Sequence, residues 1–167
     1  MPTTPSPVPD IVLRRFTRTD TEFFSRLATD ERVTRFVGDG RPWDSDFIAA
    51  RVDSALGGLP PGHPEAKRWF IASLDDEPAG LVVSSRHDGA VEIGYWLAPE
   101  HWGKGLAGRM VARAIPAVWD AYGSIPLSAR VDPENGASVR ILTRHGFRPD
   151  GATPEGLDVY RLEHRSG

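Results

Sequence analysis

The segment Glu92–Gly108 constrains this chain more than any other, because it reads as a β-strand, a short break and a run of glycines that opens a helix. Glycines let the backbone approach an anion without a clash from Cβ. The free N–H groups and the positive dipole end of the following helix complement the charge of a phosphate. The segment therefore predicts a strand–loop–helix unit that binds a phosphate-bearing ligand.

Two other phosphate-binding motifs compete with this interpretation. Gly103–Gly108 matches the pattern G-x-G-x-x-G, and Asp132 lies at the end of the next predicted strand, where a dinucleotide fold holds the ribose. In such a fold the first glycine follows the strand directly, whereas Pro99–Trp102 intervene here, and too few residues follow Gly108 for a second mononucleotide-binding half. The triphosphate P-loop lacks its Lys-Ser/Thr pair. A dinucleotide oxidoreductase remains the weaker alternative.

Hydrophobic periodicity predicts the element order β-α-α-β-β-β-α-β-α-β, with a possible additional strand around 148–152. The first helix is expected to run from about residue 20 to the glycines at 38 and 40, with one polar break. Three strands between residues 69 and 97 have short connections, which favours an antiparallel meander. The fold class is therefore α/β (α+β), with a largely antiparallel first half.

Length and composition exclude several classes of protein. A chain of 167 residues predicts a single domain, here 11–167, preceded by a disordered proline-rich tail at 1–10. A net charge of −3 disfavours nucleic acid and membrane surfaces as partners, and no apolar run is long enough to span a bilayer. The absence of cysteine excludes thiolate metal sites and cysteine nucleophiles, and the histidines lack metal-ligand spacing. We expect a cytoplasmic protein without a metal.

Two motifs in the same order resemble a known family. Trp102–Ala107 is similar to the acyl-CoA-binding pattern Arg/Gln-x-x-Gly-x-Gly/Ala of the GNAT (GCN5-related) N-acetyltransferases. Trp102 replaces the Arg/Gln of the consensus, as in the ribosomal-protein (RimJ/RimL-like) branch. The block Asn135–Phe147 resembles the Asn-x-x-Ser helix and Gly-Phe ending of that branch. The resemblance covers residues 11–162. It implies a GNAT fold, in which helices flank a mixed, mostly antiparallel sheet whose strands splay at the acyl-CoA site.

The resemblance also implies the co-substrate and the residues that hold it. Acetyl-CoA would lie with its pantetheine arm along the backbone at the end of the strand and its pyrophosphate at the glycine loop. A local excess of seven Lys/Arg over three Asp/Glu between His101 and Arg148 suits a phosphate-rich ligand. The predicted acetyl-CoA-binding residues are Leu97, Ala98, Trp102, Gly103, Lys104, Gly105, Leu106, Ala107, Asn135 and Arg140.

Acetyl transfer from a thioester to an amine needs a base for the amine and a proton for the leaving thiolate. Glu92 is the candidate base, because it is the only ionisable side chain on the strand near the expected splay; a structural salt bridge is the competing role. The tyrosine that protonates the thiolate in many family members is replaced by Leu142. The branch resemblance suggests Ser138 in its place, although Ser138 also suits the first turn of a helix.

The predicted activity is direct transfer of the acetyl group to a primary amine, on a protein N-terminus or on a small molecule. The sequence between residues 20 and 68, which would shape the acceptor site, contains no diagnostic motif. A non-catalytic acyl-CoA-binding or sensing module is the alternative, and the missing tyrosine at Leu142 motivates it. The expected partners are acetyl-CoA and the amine, with a homodimer also possible.

Overall fold

A computed structural model describes Pro2 and residues 10–165 of the chain. The predicted tail at 1–10 lies outside these residues, apart from Pro2 and Asp10. Seven strands form one sheet in the order β1-β2-β3-β4-β5-β7-β6. The strands are β1 (Ile11–Arg15), β2 (Lys67–Leu74), β3 (Glu77–His87), β4 (Ala90–Leu97), β5 (Leu127–Val131), β6 (Arg148–Ala152) and β7 (Asp158–Leu162).

All neighbouring strands pair antiparallel except β4 and β5, which are parallel. The parallel pair is joined by the longest helix of the described chain, as a crossover between parallel strands requires. The helices are α1 (Thr21–Ala28), α2 (Glu31–Thr34), α3 (Ser45–Ala55), α4 (Leu106–Tyr122) and α5 (Gly136–Arg144). The predicted α/β class with a mostly antiparallel sheet is confirmed, and the additional strand near 148–152 is present as β6.

The single first helix of the sequence prediction is wrong, because the structure divides it into α1 and α2. Helix α1 ends at Ala28, and Asp30 then begins α2 as its N-cap by accepting a hydrogen bond from the Arg32 N–H at 2.9 Å. An aspartate side chain that bonds to the backbone two residues later favours a turn over a continuing helix. The polar break was therefore a helix boundary.

The helices cover both faces of the sheet and so create two hydrophobic clusters. On one face, α4 and α5 pack Leu106, Met110 and Leu142 against the sheet. On the other face, α1 and α3 contribute residues such as Phe24 and Val52. Side chains on β4 alternate between these two faces of the sheet. A ligand bound beside β4 can therefore be contacted by side chains from either face.

Gly80 on β3 is required where β3, β4 and α4 meet. A Cβ at this position would lie 2.7 Å from the Trp96 carbonyl oxygen and 2.8 Å from the Met110 sulfur. We expect Gly80→Ala to lower the free energy of unfolding by about 1–3 kcal/mol, because backbone must move to relieve the clash. Urea denaturation measures this loss. Gly62→Ala is the matched control, since a Cβ there meets nothing within 4 Å; equal stability of both variants would contradict the prediction.

Candidate active site

Strands β4 and β5 separate soon after they meet. Their register contains only the pairs Val91–Leu127 and Glu92–Ser128, although β4 continues to Leu97. The remaining part of β4 therefore has β3 on one side and an open wedge on the other. The predicted splaying of these strands is confirmed by this geometry.

Hydrogen bonds show which backbone groups of β4 face the wedge. The Val91 N–H donates to Pro126 on the β5 side, whereas the Ala98 N–H donates to the Ala79 carbonyl at 2.8 Å on the β3 side. Because backbone groups alternate along a strand, those of Tyr95 and Leu97 point into the wedge. The Leu97 carbonyl accepts the indole N–H of Trp102 at 2.8 Å, which leaves the Leu97 N–H facing the wedge.

The glycine loop lies at the wide end of the wedge. Gly103 and Gly105 have φ values of 75° and 74°, a left-handed conformation that favours glycine, and Gly105 is the N-cap of α4. The first helical hydrogen bond runs from the Arg109 N–H to the Gly105 carbonyl. Within residues 10–165, the N–H groups of residues 103–107 donate to no other protein group. The loop therefore presents several backbone donors at a helix N-terminus.

A tyrosine and a serine meet across the wedge. Tyr95 Oη on β4 lies 2.6 Å from Ser138 Oγ on α5. The Ser138 N–H donates to Asn135 Oδ1 at 3.3 Å, so Asn135 acts as the N-cap of α5 and fixes the serine there. Burial raises the pKa of Tyr95 above its ordinary value, and the hydrogen bond to Ser138 opposes this in part. Tyr95 therefore stays protonated at neutral pH and can donate a proton.

Glu92 lies on the opposite face of β4 from Tyr95, where the two strands begin to part. Its carboxylate accepts a hydrogen bond from Arg130 Nη2 at 2.8 Å, and its side chain is 21% exposed. A cavity of about 370 Å³ opens beside it. The lining residues are Ser54, Leu59, Pro64, Glu65, Lys67, Ser85, Arg86, His87, Glu92 and Arg130.

An aromatic cluster lies on the same face of the sheet as Glu92, around Trp96 of β4. Trp43 and Trp96 have ring centroids 5.1 Å apart, and Phe24 contacts both. Arg51 of α3 places its guanidinium carbon 6.0 Å from the Trp43 ring and 5.9 Å from the Trp69 ring. This cluster forms an aromatic wall between α1, α3 and the end of β4.

The model of the Acetyltransferase (GNAT) domain family matches residues 10–148 of the chain. The chain belongs to the GNAT acetyltransferase family. It is therefore an N-acetyltransferase, and acetyl-CoA is its co-substrate, as the resemblance implied.

Two curated relatives are similar to this acetyltransferase along most of their length. An uncharacterized N-acetyltransferase of Bacillus subtilis, YoaA, is 28% identical over 91% of this chain and 92% of that protein. The spermidine N(1)-acetyltransferase of Escherichia coli is 28% identical over 84% of this chain and 74% of that protein.

Solved structures share the fold of this acetyltransferase. AAC(6')-Ib in complex with ribostamycin and coenzyme A superposes with a TM-score of 0.77 at 22% identity, covering 93% of this chain and 94% of that chain. Spermidine N-acetyltransferase from Vibrio cholerae, in complex with CoA and spermine, superposes with a TM-score of 0.75 at 21% identity, covering 93% of this chain and 96% of that chain. These matches confirm the predicted GNAT fold.

The predicted site residues of this acetyltransferase gather around the wedge, in three groups. Glu92, Leu97 and Ala98 lie on β4 or directly after it, and Trp102–Ala107 form the loop and the first turn of α4. Asn135, Ser138 and Arg140 lie on or cap α5 across the wedge, with Arg140 exposed. Ala98 differs from the others, because its N–H is bonded to Ala79 and its carbonyl accepts the His101 N–H at 2.9 Å.

Sequence reasoning missed Tyr95, Arg130 and the cavity. The signal for Tyr95 was its strand position, since alternation places residues 93, 95 and 97 on the face opposite Glu92. Nothing local indicated that its hydroxyl would reach a serine 43 residues later. No group of three or more metal-ligating side chains occurs in the described part of the acetyltransferase, and no described helix is long and apolar enough to cross a membrane.

Proposed function

We propose that this acetyltransferase moves the acetyl group of acetyl-CoA directly to a primary amine, on a protein N-terminus or on a small molecule. The observation that carries the proposal is the wedge between β4 and β5, which opens onto the glycine N-terminus of α4. The pyrophosphate would bind the N–H groups of residues 103–107, and the pantetheine arm would add to β4 like a further strand.

The proposed contacts with acetyl-CoA use the backbone and side-chain donors around the wedge that do not already bond to other groups of the described protein. The Leu97 N–H faces the wedge and would pair with a pantetheine carbonyl. Both backbone groups of Ala98 are engaged, so we assign it a packing contact with the arm instead of a backbone pair. Lys104 and Arg140 would neutralise phosphate charge, and Trp102 would flank the arm from its position on the Leu97 carbonyl. Asn135 would hold the arm with its amide N–H₂ while its oxygen caps α5.

We assign general base catalysis to Glu92. Its carboxylate lies where the wedge closes and borders the cavity that would receive the amine. The ammonium form of the acceptor would give a proton to Glu92 through a water molecule, and the neutral amine would then attack the thioester carbonyl. The nitrogen would lose its second proton to water as the amide forms. Collapse of the tetrahedral intermediate breaks the carbon–sulfur bond and releases the CoA thiolate.

We assign protonation of this thiolate to Ser138 together with Tyr95. Leu142, at the position of the usual tyrosine, is buried in the core and offers no hydroxyl. Tyr95 supplies one from β4 instead, 2.6 Å from Ser138. Ser138 would donate its proton to the sulfur and recover one from Tyr95, and solvent would return a proton to Tyr95 before the next turnover. This hydroxyl pair weakens the case for a non-catalytic acyl-CoA-binding module, and the pattern of Trp102 and Ser138 favours the RimJ/RimL-like branch.

Calorimetric titration with acetyl-CoA, CoA and NAD(H), followed by thiol release with a panel of primary amines, tests the proposal. We expect binding of both CoA species and thiol release with at least one amine. Binding of NAD(H) that acetyl-CoA does not displace would support the alternative hypothesis of a dinucleotide oxidoreductase. Tight acetyl-CoA binding without turnover on any amine would support the non-catalytic module. A single domain at 11–167, a cytoplasmic location and a homodimer stay predictions.

Tyr95→Phe is expected to lower kcat about 10-fold to 100-fold with little change in acetyl-CoA affinity, because it removes the hydroxyl that resupplies Ser138. Ser138→Ala should have a similar effect, and the double variant should lose little more, since the two act in one proton path. Because burial raises the pKa of Tyr95 above its ordinary value, wild-type kcat should not fall through its deprotonation near neutral pH. Stopped assays of thiol release from pH 6 to 10 measure both effects; additive losses would contradict the shared path.

A further inference from the structure

The cavity beside Glu92 carries cations that the protein does not neutralise. Arg130 is paired with Glu92. Lys67 Nζ donates to Ser54 Oγ at 2.5 Å, and Arg86 Nε donates to the Pro61 carbonyl at 2.9 Å. Across residues 10–165, neither side chain forms an ion pair with a carboxylate. The other charged or titratable groups of the lining are Glu65 and His87, which contacts Asp88 at 3.2 Å. The lining therefore favours a ligand with negative charge.

Arg51 adds a further cation on the same face. Its guanidinium covers Trp43 and Trp69, and its buried Nε has no hydrogen-bond partner in the described chain. An aromatic wall would otherwise attract the ammonium groups of a polyamine through cation–π contact. Because Arg51 already occupies that position, these rings are not free to bind a second cation, although they lie outside the lining of the cavity.

The strand register gives the spacing between the cation and the base. Lys67 on β2 pairs with Ser85 on β3, and Ser85 pairs with Glu92 on β4, so the three residues form one row across the sheet. Two strand spacings separate the Cα atoms of Lys67 and Glu92 by about 10 Å. A ligand that reaches both side chains in a cavity of about 370 Å³ is a small molecule with its charged ends several bonds apart.

We propose that the amine acceptor is a small amino acid whose carboxylate binds Lys67 and Arg86 while its amine, several carbons away, lies at Glu92. This inference rests on the proposed function and specifies its substrate class. Lys67 and Arg86 would repel the far ammonium group of a polyamine in the same cavity. The acceptor would thus differ in charge from spermine, with which the Vibrio cholerae relative was solved.

Two matched series of amines test the proposal with the wild-type enzyme. One series is 4-aminobutyrate, butylamine and 1,4-diaminobutane, and the other is 6-aminohexanoate, hexylamine and 1,6-diaminohexane. Within each series the reacting amine and chain length are constant while the far end is anionic, apolar or cationic. We expect kcat/KM, measured by thiol release, to be about tenfold higher for the carboxylate than for the apolar amine in at least one series, and lowest for the diamine.

Lys67→Gln and Arg86→Gln locate the carboxylate. Each should remove most of the roughly tenfold advantage in kcat/KM that the amino acid has over the apolar amine. Arg113→Gln is the matched control, because Arg113 of α4 pairs with Asp10 and does not line the cavity. Circular dichroism checks that each variant folds. If a variant does not fold, the comparison of the amines with the wild-type enzyme still tests the charge preference.

The outcomes separate this inference from the function on which it rests. Failure of acetyl-CoA to bind would overturn the proposed function itself. Binding with turnover in which the diamine or the apolar amine equals the amino acid, or with no turnover of either amino acid, would overturn the inference alone. A carboxylate preference that survives both substitutions would overturn the assignment of Lys67 and Arg86.

Discussion

Gly105→Asp is expected to abolish measurable acetyl-CoA binding while the protein remains folded. A Cβ at residue 105 meets nothing within 4 Å, and aspartate tolerates the left-handed conformation that the φ of 74° requires. The new carboxylate would face the pyrophosphate. Two unit charges about 4 Å apart near a protein surface repel by about 4 kcal/mol, of which salt screens a part, so we expect affinity to fall about 100-fold or more.

Gly105→Asn is the matched control for this variant. Asparagine has nearly the same shape and the same tolerance of positive φ but carries no charge. It should therefore retain most of the acetyl-CoA affinity, measured by calorimetry beside a thermal melt of each protein. An equal loss in both variants would assign the effect to the backbone, and wild-type affinity in Gly105→Asp would mean that the loop does not hold the pyrophosphate.

Glu92→Gln is expected to lower kcat about 10²-fold to 10⁴-fold, the usual contribution of a general base. The loss should be greatest at low pH, where most of the acceptor amine is protonated and its deprotonation is hardest. Acetyl-CoA affinity should change little, because Glu92 lies on the face of β4 opposite Tyr95 and the α4 side of the sheet. Thiol release across pH, with calorimetry of acetyl-CoA, measures the two quantities.

Arg130→Gln distinguishes the base from a structural ion pair. This variant breaks the 2.8 Å contact but leaves the Glu92 carboxylate in place. If Glu92 is the base, Arg130→Gln should keep most of kcat while Glu92→Gln loses it. If the contact is only structural, the two variants should have equal and small effects on kcat and on stability. A Glu92→Gln enzyme with unchanged activity at every pH would remove Glu92 from the mechanism.

The features that the sequence predicted well depend on neighbouring residues. Left-handed glycines, an N-cap and helical spacing are local, so the loop at Trp102–Ala107 and the start of α5 at Asn135 could be located before any fold was known. The same local signals located the strands, because period-two apolar patterns and short turns are visible in sequence. One local signal was interpreted wrongly. The polar break near Asp30 is a boundary between two helices, not an interruption within one.

Other features of the site were decided by the tertiary structure alone. The hydroxyl pair of Tyr95 and Ser138, the ion pair of Glu92 and Arg130, and the row from Lys67 to Glu92 each join residues that are distant in sequence. Their meeting depends on strand register and on where β4 and β5 part, which the packing of both hydrophobic clusters sets together. The sequence by itself determined the family and the acyl donor, and it located the glycine loop at the start of α4. The contact of Tyr95 with Ser138, the ion pair of Glu92 and the charges that line the cavity required the tertiary structure, because side chains from separate elements contact only after the sheet has formed.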